Sequence, residues 1–300
     1  PAVSVRRAAA MKRFIRHCVG MACLVGLAAP GQALDLGNVL QNLDVNKVIN
    51  TGQKLSAATQ EMPVNEEIWL GRELAARILG TVPPLADPAV QTYVNQVGRW
   101  LTLHTERPDL PWHFAVVATD HVGAFATPGG RVIITAGLLR LMRDENELAG
   151  VLAHEISHVV QRHHVLAVMK RARAQLAADV ASELASQYVA KNPLVTQALL
   201  GAGMNLYGSG LDQGDEYAAD RAGMVIAARA GYDPTGLVYL LTTLDSLGVG
   251  DARMQLLYAT HPPTRSRIDA LATIADQLTA YRGSLQDGGR FARIQGTLLQ

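Results

Sequence analysis

The chain is poor in cysteine: of its 300 residues only Cys18 and Cys23 carry a thiol. Both fall within residues 1–33, so the remainder has no disulfide and must be held by its own core. An excess of charge of either sign is lacking too. There are 27 basic and 26 acidic residues. Residues 1–33 contain five of the basic residues and no acid; taking these five from 27 leaves 22 against 26, a net charge of −4. That balance excludes a basic footprint for nucleic acid. No run of eighteen apolar residues follows residue 33, so no later helix is expected to span a bilayer. Internal repeats and low-complexity tracts are also absent. The composition does supply 49% hydrophobic residues, enough in a chain of this length to bury a sizeable core in one or two domains.

The N-terminus has the layout of an export leader. Lys12, Arg13 and Arg16 form a basic region, Cys18 to Ala29 a short apolar one, and Gly31-Gln32-Ala33 offers small residues for cleavage. Met11 is read as the start, which puts Arg6-Arg7 outside the leader. Gly20-Met21-Ala22 before Cys23 is not a lipobox, so a lipid anchor is disfavoured. Residues 1–33 are thus read as an N-terminal extension followed by a cleavable signal peptide, which predicts a periplasmic destination. Residues 34–61 then read as a helical arm, 62–285 as the main domain and 286–300 as a tail.

The pattern that carries chemistry is His154-Glu155-Ile156-Ser157-His158, an HExxH. Four residues make about one helical turn, so both imidazoles project from one face and can grip one metal ion. The context is helical. Asp144-Glu145-Asn146-Glu147 reads as a capping box, and Leu148, Val151, Leu152, Ile156, Val159 and Val160 follow a helical period. Histidine suits zinc, and three protein ligands with one open position define a hydrolytic site. Glu155 is placed to act as general base on a zinc-activated water. For the third ligand the best candidate is Glu216, in Asp215-Glu216-Tyr217-Ala218-Ala219-Asp220. Asp220 lies four residues on, hence on the same face, where it can orient a ligating histidine. Alone, such an acid pair reads as a solvated helix face; downstream of HExxH the metal reading prevails.

These segments together resemble the M48 metallopeptidases, a gluzincin family. Further matches are Ala124-Phe125-Ala126-Thr127-Pro128-Gly129-Gly130-Arg131-Val132-Ile133-Ile134-Thr135, Gly231-Tyr232-Asp233-Pro234 and His261-Pro262-Pro263-Thr264-Arg265-Ser266-Arg267-Ile268. The resemblance covers roughly residues 62 to 275. Gly123 stands where the family usually has Asn. The resemblance implies a mainly helical α+β fold, with an HExxH helix, a second ligand helix and a small sheet bearing a substrate-binding edge strand. It also implies one Zn²⁺ per chain on His154, His158 and Glu216, and the soluble periplasmic type without an appended repeat domain. Its substrates would be unfolded or misassembled exported polypeptides, such as outer-membrane proteins, with peripheral membrane or assembly-machinery contact. The alternative is a zinc-containing, chaperone-like binding protein with latent or no proteolysis.

Strands are expected over Trp112 to Ala118 and Arg131 to Thr135, and amphipathic helices over Glu66 to Leu79 and Pro88 to Leu103. The strand through Phe125 to Thr135 is read as an exposed sheet edge, with Ala124, Phe125, Ala126, Gly129 and Gly130 holding substrate backbone. An ordinary glycine-containing hairpin fits as well. Residues 165–210 read as core packing through Leu176, Val180, Leu184 and Tyr188, or as a cover hinged at Asn192-Pro193 and Gly208-Ser209-Gly210. His261, on a loop end before two prolines, is assigned to the oxyanion or to an inhibitory fourth ligand position, against a capping role. Arg267 is assigned to developing negative charge, or to a salt bridge with Asp220 or Glu216. His163 and His164 receive no metal role.

Overall fold

The computed structural model describes residues 62–182, 193–248, 250–278 and 289–298. The expected leader and helical arm, residues 1–61, lie outside them, as do Asn192 and the side chains of Leu176, Val180, Leu184 and Tyr188.

Two helices come first, α1 (Val64–Leu79) and α2 (Pro88–Thr102), as the sequence periodicity predicts. Asp87 caps α2 by accepting from Ala89 N and Val90 N, with Pro88 at the first helical position, where its missing N–H costs nothing. The strands β1 (His113–Val117), β2 (Ala124–Thr127) and β3 (Arg131–Thr135) follow. They form one mixed sheet in the order β1-β3-β2. β1 runs parallel to β3 with Ala115 opposite Ile133, and β2 runs antiparallel to it with Ala126 opposite Val132. The turn joining β2 to β3 places Gly129 and Gly130 at φ 73° and 96°, backbone that side-chain-bearing residues rarely adopt.

The rest is helical: α3 (Ala136–Leu141), α4 (Glu145–Val160), α5 (His163–Ser182), α6 (Pro193–Ser209), α7 (Gln213–Arg229), α8 (Gly236–Leu247), α9 (Gln255–Thr260), α10 (Thr264–Leu278) and α11 (Arg290–Leu298). The expected α+β, mainly helical class is thus observed. α4 is the central element. Asp144 accepts from Glu147 N at 3.0 Å, and the Glu147 carboxylate in turn accepts from Arg143 N at 2.9 Å, a capping box shifted by one residue. Fourteen of the sixteen α4 residues are buried, which explains why its sequence lacks a strongly polar face. It packs chiefly against α7 and α8. At the α7 crossing Gly223 removes a side chain whose Cβ would lie 3.0 Å from His154 N; this close approach brings the α7 acids to the α4 histidines. The main core also takes in Phe291 and Leu298 of α11. Residues 286–300, expected as a tail, therefore include a helix packed on the domain, because Phe291 continues its apolar interior.

Among the described residues, no helix is long and apolar enough to cross a membrane.

Candidate metal centre

α4 presents His154 and His158 one turn apart, with their Nε2 atoms 3.1 Å from each other. The first turn of α7 brings Glu216 against them: Oε2 lies 3.7 Å from His154 Nε2 and Oε1 3.6 Å from His158 Nε2. All three side chains are buried. Ligand atoms of a tetrahedral zinc site with bonds near 2.05 Å should lie about 3.3 Å apart, so these separations fit the ion. The chemistry fits as well: Glu216 Oε2 is buried with no hydrogen-bond partner, a state that costs several kcal/mol unless something positive meets it. A buried carboxylate and two neutral imidazoles converging on one point are what a divalent cation requires.

Asp220, one turn after Glu216, has Oδ1 2.9 Å from His154 Nδ1. An acceptor there puts the proton of His154 on Nδ1 and leaves Nε2 free for a metal. Arg267 of α10 bonds Asp220 through both arms, Nε to Oδ2 at 2.9 Å and Nη2 to Oδ1 at 2.5 Å. Burial pushes the Asp220 carboxyl up, but the Arg267 guanidinium and the bond to His154 hold it well below the usual carboxylate range. Of the two readings of Arg267, the geometry places it on Asp220.

Glu155, next to His154 on α4, lies beside Ala124 and His261, where an apolar chamber walled by Leu138, Val151 and Leu241 opens. The backbone N–H of Ala126 in β2 bonds its carboxylate. Burial and the neighbouring Glu216 charge push the Glu155 carboxyl up to about 8, and burial likewise pushes Glu216 up to about 8. A cation between them would reverse both shifts. His261 sits at the end of α9 with Nε2 3.9 Å from Glu155 Oε1 and 3.7 Å from Glu216 Oε2. Its Nδ1 lies 2.8 Å from Thr260 Oγ1, whose own proton goes to Leu256 O at 2.9 Å. Thr260 is thus the acceptor, Nδ1 carries the proton, and the bare Nε2 faces the cluster.

The residues expected to hold substrate divide. Ala124 lines the chamber and Ala126 contacts Glu155. Phe125 points to the other face of the sheet, as alternation requires, beside Ala75, Val117 and Ile133. Gly129 and Gly130 are not brought to the cluster. They sit at the far turn, where Gly129 N bonds Glu67 and Gly130 lies under Trp112. The β2 edge is not exposed either: Tyr207 of α6 donates to Ala126 O at 2.8 Å. Gly208 and Ser209 end α6 and Gly210 follows at φ 74°, where an added Cβ would lie 2.3 Å from Thr260 O.

Sequence reasoning missed three neighbours of the site, one of them His164, whose ring centre lies 5.3 Å from that of His158. Tyr207 had no motif to mark it. His163, five residues after His158, is out of helical phase with it, yet the two Nδ1 atoms lie 3.0 Å apart.

The profile of peptidase family M48 matches residues 88–275. The beta-barrel assembly-enhancing protease of Escherichia coli (strain K12) is 29% identical over 226 residues, covering 74% of this chain and 46% of that protein. The mitochondrial metalloendopeptidase OMA1 of Schizosaccharomyces pombe is 28% identical over 176 residues, 59% of this chain and 50% of its own length. Metalloprotease YcaL of Escherichia coli (strain K12) is 32% identical over 158 residues, 52% and 59% respectively. The chain spans about half the length of these relatives. The matched region contains both histidines, Glu155, Glu216, Asp220, His261 and Arg267, and on that ground the chain belongs to peptidase family M48, the zinc metallopeptidases.

Proposed function

We propose that the chain is a zinc-dependent endopeptidase acting on unfolded or misassembled exported proteins in the periplasm. The observation that carries this reading is the convergence of His154, His158 and a Glu216 oxygen without a partner on one buried point, with Glu155 beside it. Zinc bound there supplies a Lewis acid that polarises the scissile carbonyl and makes water a nucleophile near neutral pH. His154, His158 and Glu216 would hold the ion. Asp220 keeps His154 in its ligating tautomer, and Arg267 keeps Asp220 charged. Glu155 takes the proton of the attacking water and passes it to the leaving amine, a role worth about 10²–10⁴-fold in rate. Substrate backbone adds to the β2 edge at Ala126, a mode largely indifferent to side chains and suited to unfolded chains. Tyr207 occupies that edge and would have to leave it. The names of the relatives, a beta-barrel assembly-enhancing protease among them, support a role in envelope quality control.

A second reading, a zinc-containing binding protein with latent proteolysis, draws on one observation. His261 Nε2 lies 3.7 Å from Glu216 Oε2 and 3.9 Å from Glu155 Oε1, within reach to serve as a fourth ligand to an ion that Glu216 would hold. Casein cleavage by the zinc-loaded chain, with chelator controls, separates the readings. Under the peptidase reading, Glu155→Gln keeps zinc and loses about 10²–10⁴-fold in turnover; cleavage by that variant at the wild-type rate would overturn the role of Glu155. Higher activity in His261→Ala would identify His261 as a latch. No cleavage by either wild type or His261→Ala favours the binding protein.

A further inference from the structure

His158 is held differently from His154. No carboxylate stands behind it; its Nδ1 meets Nδ1 of His163 at 3.0 Å, inside the domain. The Nε2 of His158 faces His154 and Glu216, where the ion belongs, so it must be bare. A neutral imidazole has one proton, which therefore sits on Nδ1 and is donated to His163. His163 can accept only if its own Nδ1 is bare, which moves its proton to Nε2. That atom faces Asp215 Oδ1 at 3.9 Å, and Asp215 directly precedes the ligand Glu216 on α7.

The backbone is bent to make this contact. Arg162, between α4 and α5, has φ 60°, the one positive value outside glycine among the described residues. A left-handed residue of this kind costs about 1–2 kcal/mol, and a continuous helix would have carried residue 163 away from 158. The side chain of Arg162 is fixed by Glu67 Oε2, 3.1 Å from its Nε, and by the carbonyl of Met62. Local strain maintained by a buried ion pair, at a position whose next residue touches a metal ligand, indicates a built contact.

We propose that His163 is a positioning residue for zinc: as proton acceptor of His158, with Asp215 behind it, it fixes the tautomer and ring orientation of that ligand. The inference rests on the metal centre assigned above and extends it to a residue outside the HExxH motif. Partners of this kind are worth about 10–100-fold in metal affinity.

The test is zinc affinity of the full chain, by competition with a chromophoric chelator, beside the melting temperature of the metal-free protein. Asparagine places an oxygen near the Nδ1 position of histidine, glutamine near Nε2, and leucine neither. We expect His163→Asn to bind zinc within about threefold of wild type, and His163→Gln and His163→Leu to bind about 10–100-fold more weakly. If leucine prevents folding, the asparagine and glutamine variants still decide. Equal affinity of those two, or wild-type affinity in His163→Leu, overturns the proposal while leaving the metal centre intact. Glu155→Gln is the control: its failure to bind zinc along with wild type would instead remove the metal centre, and the proposal with it.

Discussion

Replacing Glu67 should reveal how far the frame behind the HExxH helix depends on a single carboxylate. Glu67 has no exposed surface. It accepts from Arg107 Nη1 and Nη2 at 2.9 and 3.0 Å and from Gly129 N at 3.2 Å, and it lies 3.1 Å from Arg162 Nε. One side chain of α1 thereby ties together the loop before β1, the β2–β3 turn and the end of α4. Arg107 also donates to Val159 O at 3.0 Å, near the end of the same helix. Glu67→Ala leaves two guanidinium groups, 18% and 23% exposed, without their counter-charge. Breaking a buried ion pair from one side costs about 3–5 kcal/mol. Water can reach both arginines in part, so we expect the lower end, about 3 kcal/mol. At about 2–4 °C per kcal/mol for a domain of this size, the midpoint should fall by about 6–12 °C. Glu67→Gln keeps an acceptor and the shape and should lose about half as much. The assay is thermal unfolding of the metal-free chain followed by circular dichroism. A Glu67→Ala midpoint within about 2 °C of wild type would refute the reasoning. Because Arg162 leads into His163, zinc affinity should fall with stability in Glu67→Ala.

Three further outcomes can be checked directly. Glu155 and Glu216 have folded pKa values raised from 4.5 to about 8, so the stability they contribute is complete below 4.5 and lost as pH climbs through 8. Burial pushes His154, His158, His163, His164 and His261 down, and these act in the opposite sense below their ordinary value of 6.5. The metal-free melting temperature should therefore decline only from about pH 7 to 8, less steeply in Glu155→Gln; an unchanged slope in that variant would contradict the burial argument. A Cβ on Gly71 would sit 1.6 Å from Pro128 O, so Gly71→Ala must push α1 off the β2–β3 turn, costing about 3 kcal/mol in denaturant titration. Tyr207→Phe removes the bond that covers Ala126 O. Losing about 1 kcal/mol there should raise casein kcat/KM by a few-fold, and a lower value would mean that Tyr207 serves the reaction instead of covering the edge.

Much of the metal centre was legible without coordinates because it follows local periodicity. The 3.6-residue turn alone puts His154 above His158 and Glu216 above Asp220, and Asp144 caps α4 as its position predicts. The α+β, mainly helical class and the strands over Arg131–Thr135 and around His113–Val117 were legible for the same reason. Gly129 and Gly130 were misplaced because proximity in sequence to Ala126 says nothing about distance once a four-residue strand carries the chain away from the site. Tyr207 was invisible because its partner is a backbone carbonyl 81 positions away, and a carbonyl has no signature in a sequence. His163 was set aside because helical phase was assumed to continue through Arg162. By itself, the sequence determined which candidate ligands share a helix face, since that depends on bonds and turns within one segment. Only the tertiary structure decided which faces meet. That depended on space at Gly223, on a bend held by Glu67, and on Arg267 choosing Asp220, all contacts between segments far apart in the chain.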